Sequence, residues 1–235
     1  MDHPDLKRRL AALTTAHVAD ACIRAQVEVR CAPASLRPLV PGSRLAGRVC
    51  PARHAGSVDV FLEAIDRAEP GDVLVVDNGG RLGEACVGDL MALEAQAAGL
   101  AGIVVWGLHR DSAELAAIGL PVFSLGAIAT GPLRLEPRPP DALTAAVVGQ
   151  WPVGRDDLVL GDDDGVIFVP AGRADDVLAS AEAVRDTEQG QAARMRTGAS
   201  LRQQVRFDEF LEQRRQSPSL SFREHLRAVG GAVEE

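Results

Sequence analysis

The sequence predicts an α/β fold built on a parallel β-α-β-α-β core. Asp72-Val73-Leu74-Val75-Val76-Asp77 is a short, continuously apolar run entered through Pro70-Gly71, the pattern of a strand covered on both faces. Similar runs at 103–106 and 121–124 follow two helical stretches, 89–98 and 111–118, the first of them ended by Gly99. Strands alternating with helices at this spacing imply parallel pairing through crossovers. Ligands of such sheets bind beyond the carboxyl ends of the strands, so Asp77, Asn78, His109, Arg110 and Asp111 are expected on one rim.

The flanking elements follow from the same patterning. Residues 5–26 read as helical, with Thr14 or Thr15 as cap and Val18, Ala21, Cys22 and Ala25 on one face. Residues 27–43 carry Pro33, Pro38 and Pro41 and are expected to be irregular; 44–53 reads as a strand and 57–68 as a helix. Strands are expected near 144–149, 156–160 and 165–169, the last two joined by a turn at 161–165, followed by a helix over 171–188. The polar remainder has helical pieces at 200–214 and 221–229 and few core residues. The expected organisation is therefore an α/β domain over 1–188 with a C-terminal helical extension, 189–235, packed on this or a neighbouring subunit.

Composition excludes several functions. The 235 residues are 46% hydrophobic and 25% charged, enough for a real core. A net charge of −8, 3% aromatic residues and no Tyr argue against a nucleic-acid partner. No apolar run approaches the roughly 18 residues of a membrane span, so no membrane association is expected. The polar start Met1-Asp2-His3-Pro4 and four scattered cysteines, Cys22, Cys31, Cys50 and Cys86, lead to the expectation of a cytoplasmic protein with reduced thiols. Lys7 is the sole lysine and lies in a polar stretch, which disfavours a lysine-imine mechanism. Any carboxylate ligand must then be held by arginine, backbone N–H groups or a metal.

Two places could hold one. The glycine-rich loop 79–88 leads into a helix whose first free N–H groups, near Leu90 and Met91, form an anion site, although Asp89 could simply be that helix's N-cap. Arg110-Asp111 opens the next helix, and Arg110 offers a planar fork for a carboxylate or keto-acid. The plainer alternative is a capping box between Asp111 and Glu114, with Arg110 paired to a neighbouring acid. Together, Asp89 and Asp111 start helices after adjacent parallel strands and can converge, as Mg²⁺ or Mn²⁺ with a retained water shell requires. His109 flanks the pair and could support it from behind, but the expected reading is a surface-turn histidine. The histidines show no metal-binding spacing, and no nucleophilic serine elbow occurs.

At these residues the chain resembles a known family. The segments are Thr15 to Asp20-Ala21, Pro70-Gly71-Asp72-Val73-Leu74-Val75-Val76-Asp77, Gly88-Asp89, Gly99-x-x-Gly102-x-x-Val105-x-Gly107-x-x-Arg110-Asp111, Gly119-Leu120-Pro121-Val122-Phe123 and Gly161-Asp162-Asp163-Asp164-Gly165-Val166. They are similar to the 4-hydroxy-4-methyl-2-oxoglutarate/4-carboxy-4-hydroxy-2-oxoadipate aldolases and the related, RraA-like regulators of ribonuclease activity A, over about residues 14–188.

The resemblance implies a swivelling β/β/α sandwich, a homotrimer or dimer of trimers, and sites between subunits. It implies a metal-dependent, class II retro-aldol lyase that cleaves a 4-hydroxy-2-oxo dicarboxylic acid to pyruvate, with oxaloacetate decarboxylation as a second activity. Carried over by position, Asp111 binds Mg²⁺ or Mn²⁺ directly and Asp89 holds it through water and helps activate a base. Arg110 binds the pyruvyl oxygens beside the backbone of Gly88, Leu90 and Met91, and Glu188 of a neighbouring subunit is the best match for a further acid. Leu108-His109 stands where the aldolases carry small or apolar residues, and the tail from about residue 200 extends past most members. The alternative function is a non-catalytic RraA-like regulator that binds a protein such as a ribonuclease; the joint presence of Asp89, Arg110 and Asp111 favours the enzyme. A keto-acid decarboxylase or tautomerase would use the same residues.

Overall fold

Buried strands need cover on both faces, and the chain supplies it with two groups of helices on one face and a hairpin on the other. The structure, a computed structural model, describes residues 8–230. Its main sheet has eight strands in the order β1-β12-β11-β3-β4-β6-β8-β2. These are β1 (Arg30–Cys31), β2 (Arg37–Pro38), β3 (Leu45–Arg53), β4 (Val73–Asp77), β6 (Gly102–Trp106), β8 (Val122–Ser124), β11 (Asp157–Asp162) and β12 (Gly165–Pro170). Strands β3, β4, β6 and β8 are parallel, with Val73 opposite Val49 and Gly102; every other pairing in the sheet is antiparallel.

The sheet curls. Arg37 on one edge donates to Asp163 O at 2.8 Å, and Ala32 N donates to Val166 O at 2.8 Å, so β2 closes toward the β11–β12 turn. The concave side is filled by Val49, Val73, Val75, Val104, Phe123, Val159 and Phe168 and closed by the hairpin β9 (Ala145–Val148) and β10 (Trp151–Gly154) through Ala146, Val148 and Val153. On the convex side Leu74, Val76, Ile103 and Val105 pack against α2 (Asp59–Asp66), α3 (Asp89–Ala97) and α4 (Ser112–Ile118). Hairpin, sheet and helices make the expected β/β/α layering. The alternation along β4, with 73 and 75 inward and 74 and 76 outward, is why its run is apolar throughout.

The rest of the convex face is covered by α1 (Thr15–Arg24) and α5 (Ala174–Arg196), over Leu158, Leu160, Ile167 and Val169. The predicted helix over 5–26 is shorter: residues 12–14 leave the helix and Thr14 restarts it with a capping box to His17, while residues 5–7 lie outside the described part. Asp162 fixes that restart, accepting from Thr15 N at 2.8 Å and Thr15 Oγ1 at 2.7 Å, so two distant motifs serve one joint. The helix predicted over 171–188 opens as a 3₁₀ turn and runs on to Arg196, across the boundary expected at 188. Beyond it α6 (Leu201–Gln204), α7 (Phe207–Gln216) and α8 (Phe222–Val229) bury Phe210, His225 and Leu226 against one another, with Phe207 and Phe222 within 5.7 Å of Phe210 by ring centroid. Small as this cluster is, it gives the tail an apolar centre of its own. Among the described residues no helix is long and apolar enough to cross a membrane.

Candidate active site at the carboxyl rim

Two short strands the sequence does not announce, β5 (Ala85–Val87) and β7 (Leu108–His109), lie parallel above the carboxyl ends of β4 and β6. They are short and irregular in register, too short for periodicity to reveal. Their pairing carries the glycine-rich loop and the Arg110-Asp111 turn to one place: Arg110 N donates to Val87 O at 3.0 Å, directly before Gly88.

There the two helix starts meet. Gly88, not Asp89, is the N-cap of α3, and Asp89 is its first residue, with Oδ1 accepting from Leu90 N at 2.8 Å. Asp111 stands at the N-cap position of α4, but its side chain makes no capping bond, so the expected box with Glu114 does not form. Its backbone is left-handed, with φ 59° and ψ 43°, a conformation that costs a non-glycine residue roughly 1–2 kcal/mol. That turn sends the carboxylate back toward α3, with Oδ2 3.4 Å from Asp89 N and 3.4 Å from Arg110 Nε. A Cβ at Gly88 would collide with Asp111 Oδ2 and come within 3.3 Å of Arg110 Cγ and Nε. Glycine is the residue that lets the two segments close.

The group is open to solvent on one side. The Arg110 and Asp111 side chains are 49% and 34% exposed and Leu90 is 75% exposed, while Met91 is buried. The guanidinium also lies under the loop after β8: a Cβ at Gly131 would stand 2.9 Å from Arg110 Nη1. Thus Gly88, Asp89, Leu90, Arg110 and Asp111 gather at one point, whereas the Met91 side chain turns into the core. Glu188 does not join them within one protomer; it lies on α5 and meets His17 of α1 at 3.2 Å.

The other residues expected on the rim have different duties. Asp77 accepts from Gly79 N at 2.8 Å and Val147 N at 3.1 Å, tying the loop and the hairpin to β4. His109 is a correction to the surface-turn expectation: it is 3% exposed, with Nδ1 2.7 Å from Ser124 Oγ and Nε2 2.9 Å from Ser112 Oγ. Burial lowers its pKa, against the opposing pull of Asp111.

A buried polar network, not anticipated from sequence, holds the loop above Arg110. Glu84 accepts from Leu133 N at 2.8 Å and Arg134 Nε at 3.0 Å, and Arg134 Nη2 donates to His54 O and to Asn78 Oδ1. Burial alone would raise the Glu84 carboxyl, but these donors and the Arg134 charge hold it below its ordinary value. Its members are scattered over 80 residues of chain, which is why no local pattern marks them.

His54 gives this network a pH signature. Asn78 Oδ1 accepts from Arg134, so it also accepts from His54 Nδ1 at 2.9 Å, which fixes the neutral Nδ1–H tautomer. The ring stacks on Phe61, and buried Nε2 has no partner among the described residues, so a second proton there would have no acceptor. Burial therefore lowers the His54 pKa below 6.5. Between the folded and unfolded values the unfolded chain binds more protons, so stability is full above about pH 6.5 and falls as pH drops toward the folded value. Thermal midpoints measured from pH 8 to 5 should be flat at first and then decline, and His54→Gln should make the decline shallower, His109 supplying the remainder. An unchanged slope in that variant would refute the assignment.

The donor set at the rim fits a hard divalent cation. Asp111 and Asp89 offer carboxylate oxygens on adjacent backbone, and among the described residues no group of three or more His, Cys, Asp or Glu could hold an ion. Two carboxylates with the remaining positions left to water are a donor set that Mg²⁺ and Mn²⁺ accept and zinc in a structural site does not.

Comparison with known proteins then decides the family. The family profile for RraA-like proteins, described as Aldolase/RraA, matches residues 15–168. This chain belongs to the RraA-like family. A protein of Halalkalibacterium halodurans provisionally named a 4-hydroxy-4-methyl-2-oxoglutarate aldolase is 31% identical over 152 residues, 63% of this chain and 70% of that one. The crystal structure of an uncharacterised protein from Pseudomonas syringae pv. tomato matches with a TM-score of 0.73 at 26% identity, covering 84% of this chain and 96% of that one. Streptomyces coelicolor RraAS2, described as an unusual member of the RNase ES inhibitor RraA family, matches with a TM-score of 0.69 at 26% identity, covering 81% and 96%. The RraA-like family thus holds relatives named for catalysis and relatives named for inhibition, and what this chain does rests on its site.

Proposed function

We propose that this RraA-like protein is a divalent-metal-dependent carbon–carbon lyase that releases pyruvate from a 4-hydroxy-2-oxo dicarboxylic acid, with oxaloacetate decarboxylation as a second activity. The observation that carries the proposal is Asp111: it occupies an N-cap, bears the strain of a left-handed backbone, and points its carboxylate away from capping toward Gly88-Asp89 and Arg110. Arg206 has the same uncapped left-handed backbone at the start of α7, so the backbone alone does not mark a site; what sets Asp111 apart is that its carboxylate lies against Asp89 N and Arg110 Nε. The aldolase name of the Halalkalibacterium relative supports the same reading.

The chemistry needs three things from the chain. The C4 hydroxyl must lose its proton as the C3–C4 bond breaks, C4 becoming a carbonyl and the bond pair passing to the pyruvyl unit. Charge developing on the 2-oxo oxygen as that enolate forms must be stabilised by groups already in place. The enolate must then be protonated at C3 to give pyruvate. Arg110 binds the 2-oxo and carboxylate oxygens with its fork, beside the N–H groups at the start of α3. Asp111 and Asp89 would hold Mg²⁺ or Mn²⁺, which supplies Lewis-acid stabilisation of the same oxygens. Asp89 orients a water to take the C4 hydroxyl proton. The sole lysine lies outside the described residues, and Arg110 carries the fixed charge that an imine would otherwise provide.

Exposed Leu82, Leu90 and Leu93 flank this rim and support a neighbouring protomer closing it in a homotrimer or dimer of trimers. In such an assembly Glu188 of the adjacent subunit is the candidate additional acid.

The test is pyruvate release from oxaloacetate and from 4-hydroxy-4-methyl-2-oxoglutarate with Mg²⁺, Mn²⁺ or EDTA. Release that EDTA abolishes is expected. No pyruvate from either substrate by a folded oligomer overturns the proposal in favour of a protein-binding regulator. Arg110→Lys keeps the charge but loses the fork, and should lower kcat/KM about 100-fold, the cost of one oxyanion donor; unchanged kinetics would remove Arg110 from the site.

A further inference from the structure

We propose that His109 is a positioning residue, a buried brace between Ser124 and Ser112 that holds Asp111 in the left-handed turn the site requires. The inference deepens the lyase reading and rests on it for its functional readout. His109 reaches forward over Arg110 and Asp111, and its Nε2 meets Ser112 Oγ at 2.9 Å on the far side of the strained residue. Its Nδ1 meets Ser124 Oγ at 2.7 Å, and that hydroxyl also accepts from Gly126 N at 3.1 Å. The backbone is bolted as well: His109 N donates to Gly126 O and Ile128 N donates to His109 O, each at 3.0 Å.

One side chain thus joins the carboxyl end of β8, the strand β7 and the first residue of α4. Arg110 and Asp111 are the two residues inside that loop of bonds. The opposing forces are unequal without it. A left-handed aspartate relaxes toward the ordinary helical region unless its neighbours prevent it, and Asp111 has no side-chain cap of its own. The bond from Leu115 N to Asp111 O at 2.9 Å holds the helix behind it, which constrains the carbonyl and leaves φ free. The Ser112 hydroxyl, held by His109, fixes the residue on the other side. A small apolar side chain at 109 could not reach either serine.

Conservative replacements separate the brace from plain stability. Asparagine places its polar atoms near the Nδ1 position and can keep Ser124; glutamine places them near Nε2 and can keep Ser112. His109→Ala and Ser112→Ala should each weaken Mn²⁺ binding, followed by electron paramagnetic resonance, about tenfold, the lower end for residues that orient a ligand from outside. His109→Gln should restore most of the binding and His109→Asn should not. Wild-type Mn²⁺ affinity in both alanine variants, or equal rescue by Asn and Gln, overturns the proposal. If the unaltered protein neither binds Mn²⁺ nor releases pyruvate, the lyase reading fails, and crystal structures of the wild type and Ser112→Ala still decide the brace. Asp111 leaving the left-handed region only in the variant supports it; Asp111 near φ 59° in both overturns it.

Discussion

Asp111→Ala should abolish metal binding and lower pyruvate release by about 1,000-fold or more while lowering the thermal midpoint by only a few degrees, the cost of placing alanine in a left-handed backbone. The two halves of that expectation have the same cause. The Asp111 carboxylate lies 3.4 Å from Arg110 Nε and is about a third exposed, so its ion pair contributes little to stability. It makes no cap, so α4 loses nothing at its N-terminus. What the carboxylate does is stand beside Asp89, where it would supply one of two charged ligands; removing it leaves a single carboxylate, too few to retain a hydrated divalent ion. Loss of one preorganised charge-stabilising group in an active site costs about 10²–10³ in turnover, and loss of a bound ion would add to that. Isothermal titration with Mn²⁺, the pyruvate assay and a melting curve on the same preparation give all three numbers. Full turnover in the variant would remove the metal from the mechanism; a large fall in the midpoint would make Asp111 structural instead.

The parallel core and the candidate site were legible for different reasons. The strand 72–77 declares itself because a doubly covered strand must be apolar at every position, and β4 is buried from Val73 to Asp77. Gly88-Asp89 declares itself because a glycine-rich loop runs straight into a helix there, and Arg110-Asp111 because it stands where a buried strand and its turn hand over to a helix. Strands β5 and β7 were silent: three and two residues long, they exist through each other and leave no period in the sequence. His109 was misread because a histidine beside charged residues in a turn looks solvated; its burial depends on Ser124, fifteen residues away, and on the fold of β8. The same holds for Glu84 and Arg134, whose pairing closes a loop of fifty residues. Local chemistry is readable from local sequence; buried polar partners are chosen by topology.

Gly88→Ala follows from the same geometry and should damage activity while leaving both carboxylates in the chain. The backbone at Gly88 has φ −138°, which any residue adopts, so the helix keeps its entry and the fold should remain. The obstacle is steric: the added methyl would meet Asp111 Oδ2 and crowd Arg110 Cγ and Nε at 3.3 Å, displacing ligand and substrate-binding fork together. A shift of about 1 Å in such groups costs on the order of 100-fold in rate, so kcat/KM should fall by about that factor with a midpoint near wild type. Gly83→Ala in the same loop is the control, since a Cβ there meets nothing within 4 Å, and its activity should be unchanged. The double variant carries the decisive information. If Gly88→Ala acts by pushing Asp111 aside, it should add little to the loss already caused by Asp111→Ala, because the obstructed carboxylate is gone; if the two losses multiply, Gly88 acts through something other than Asp111.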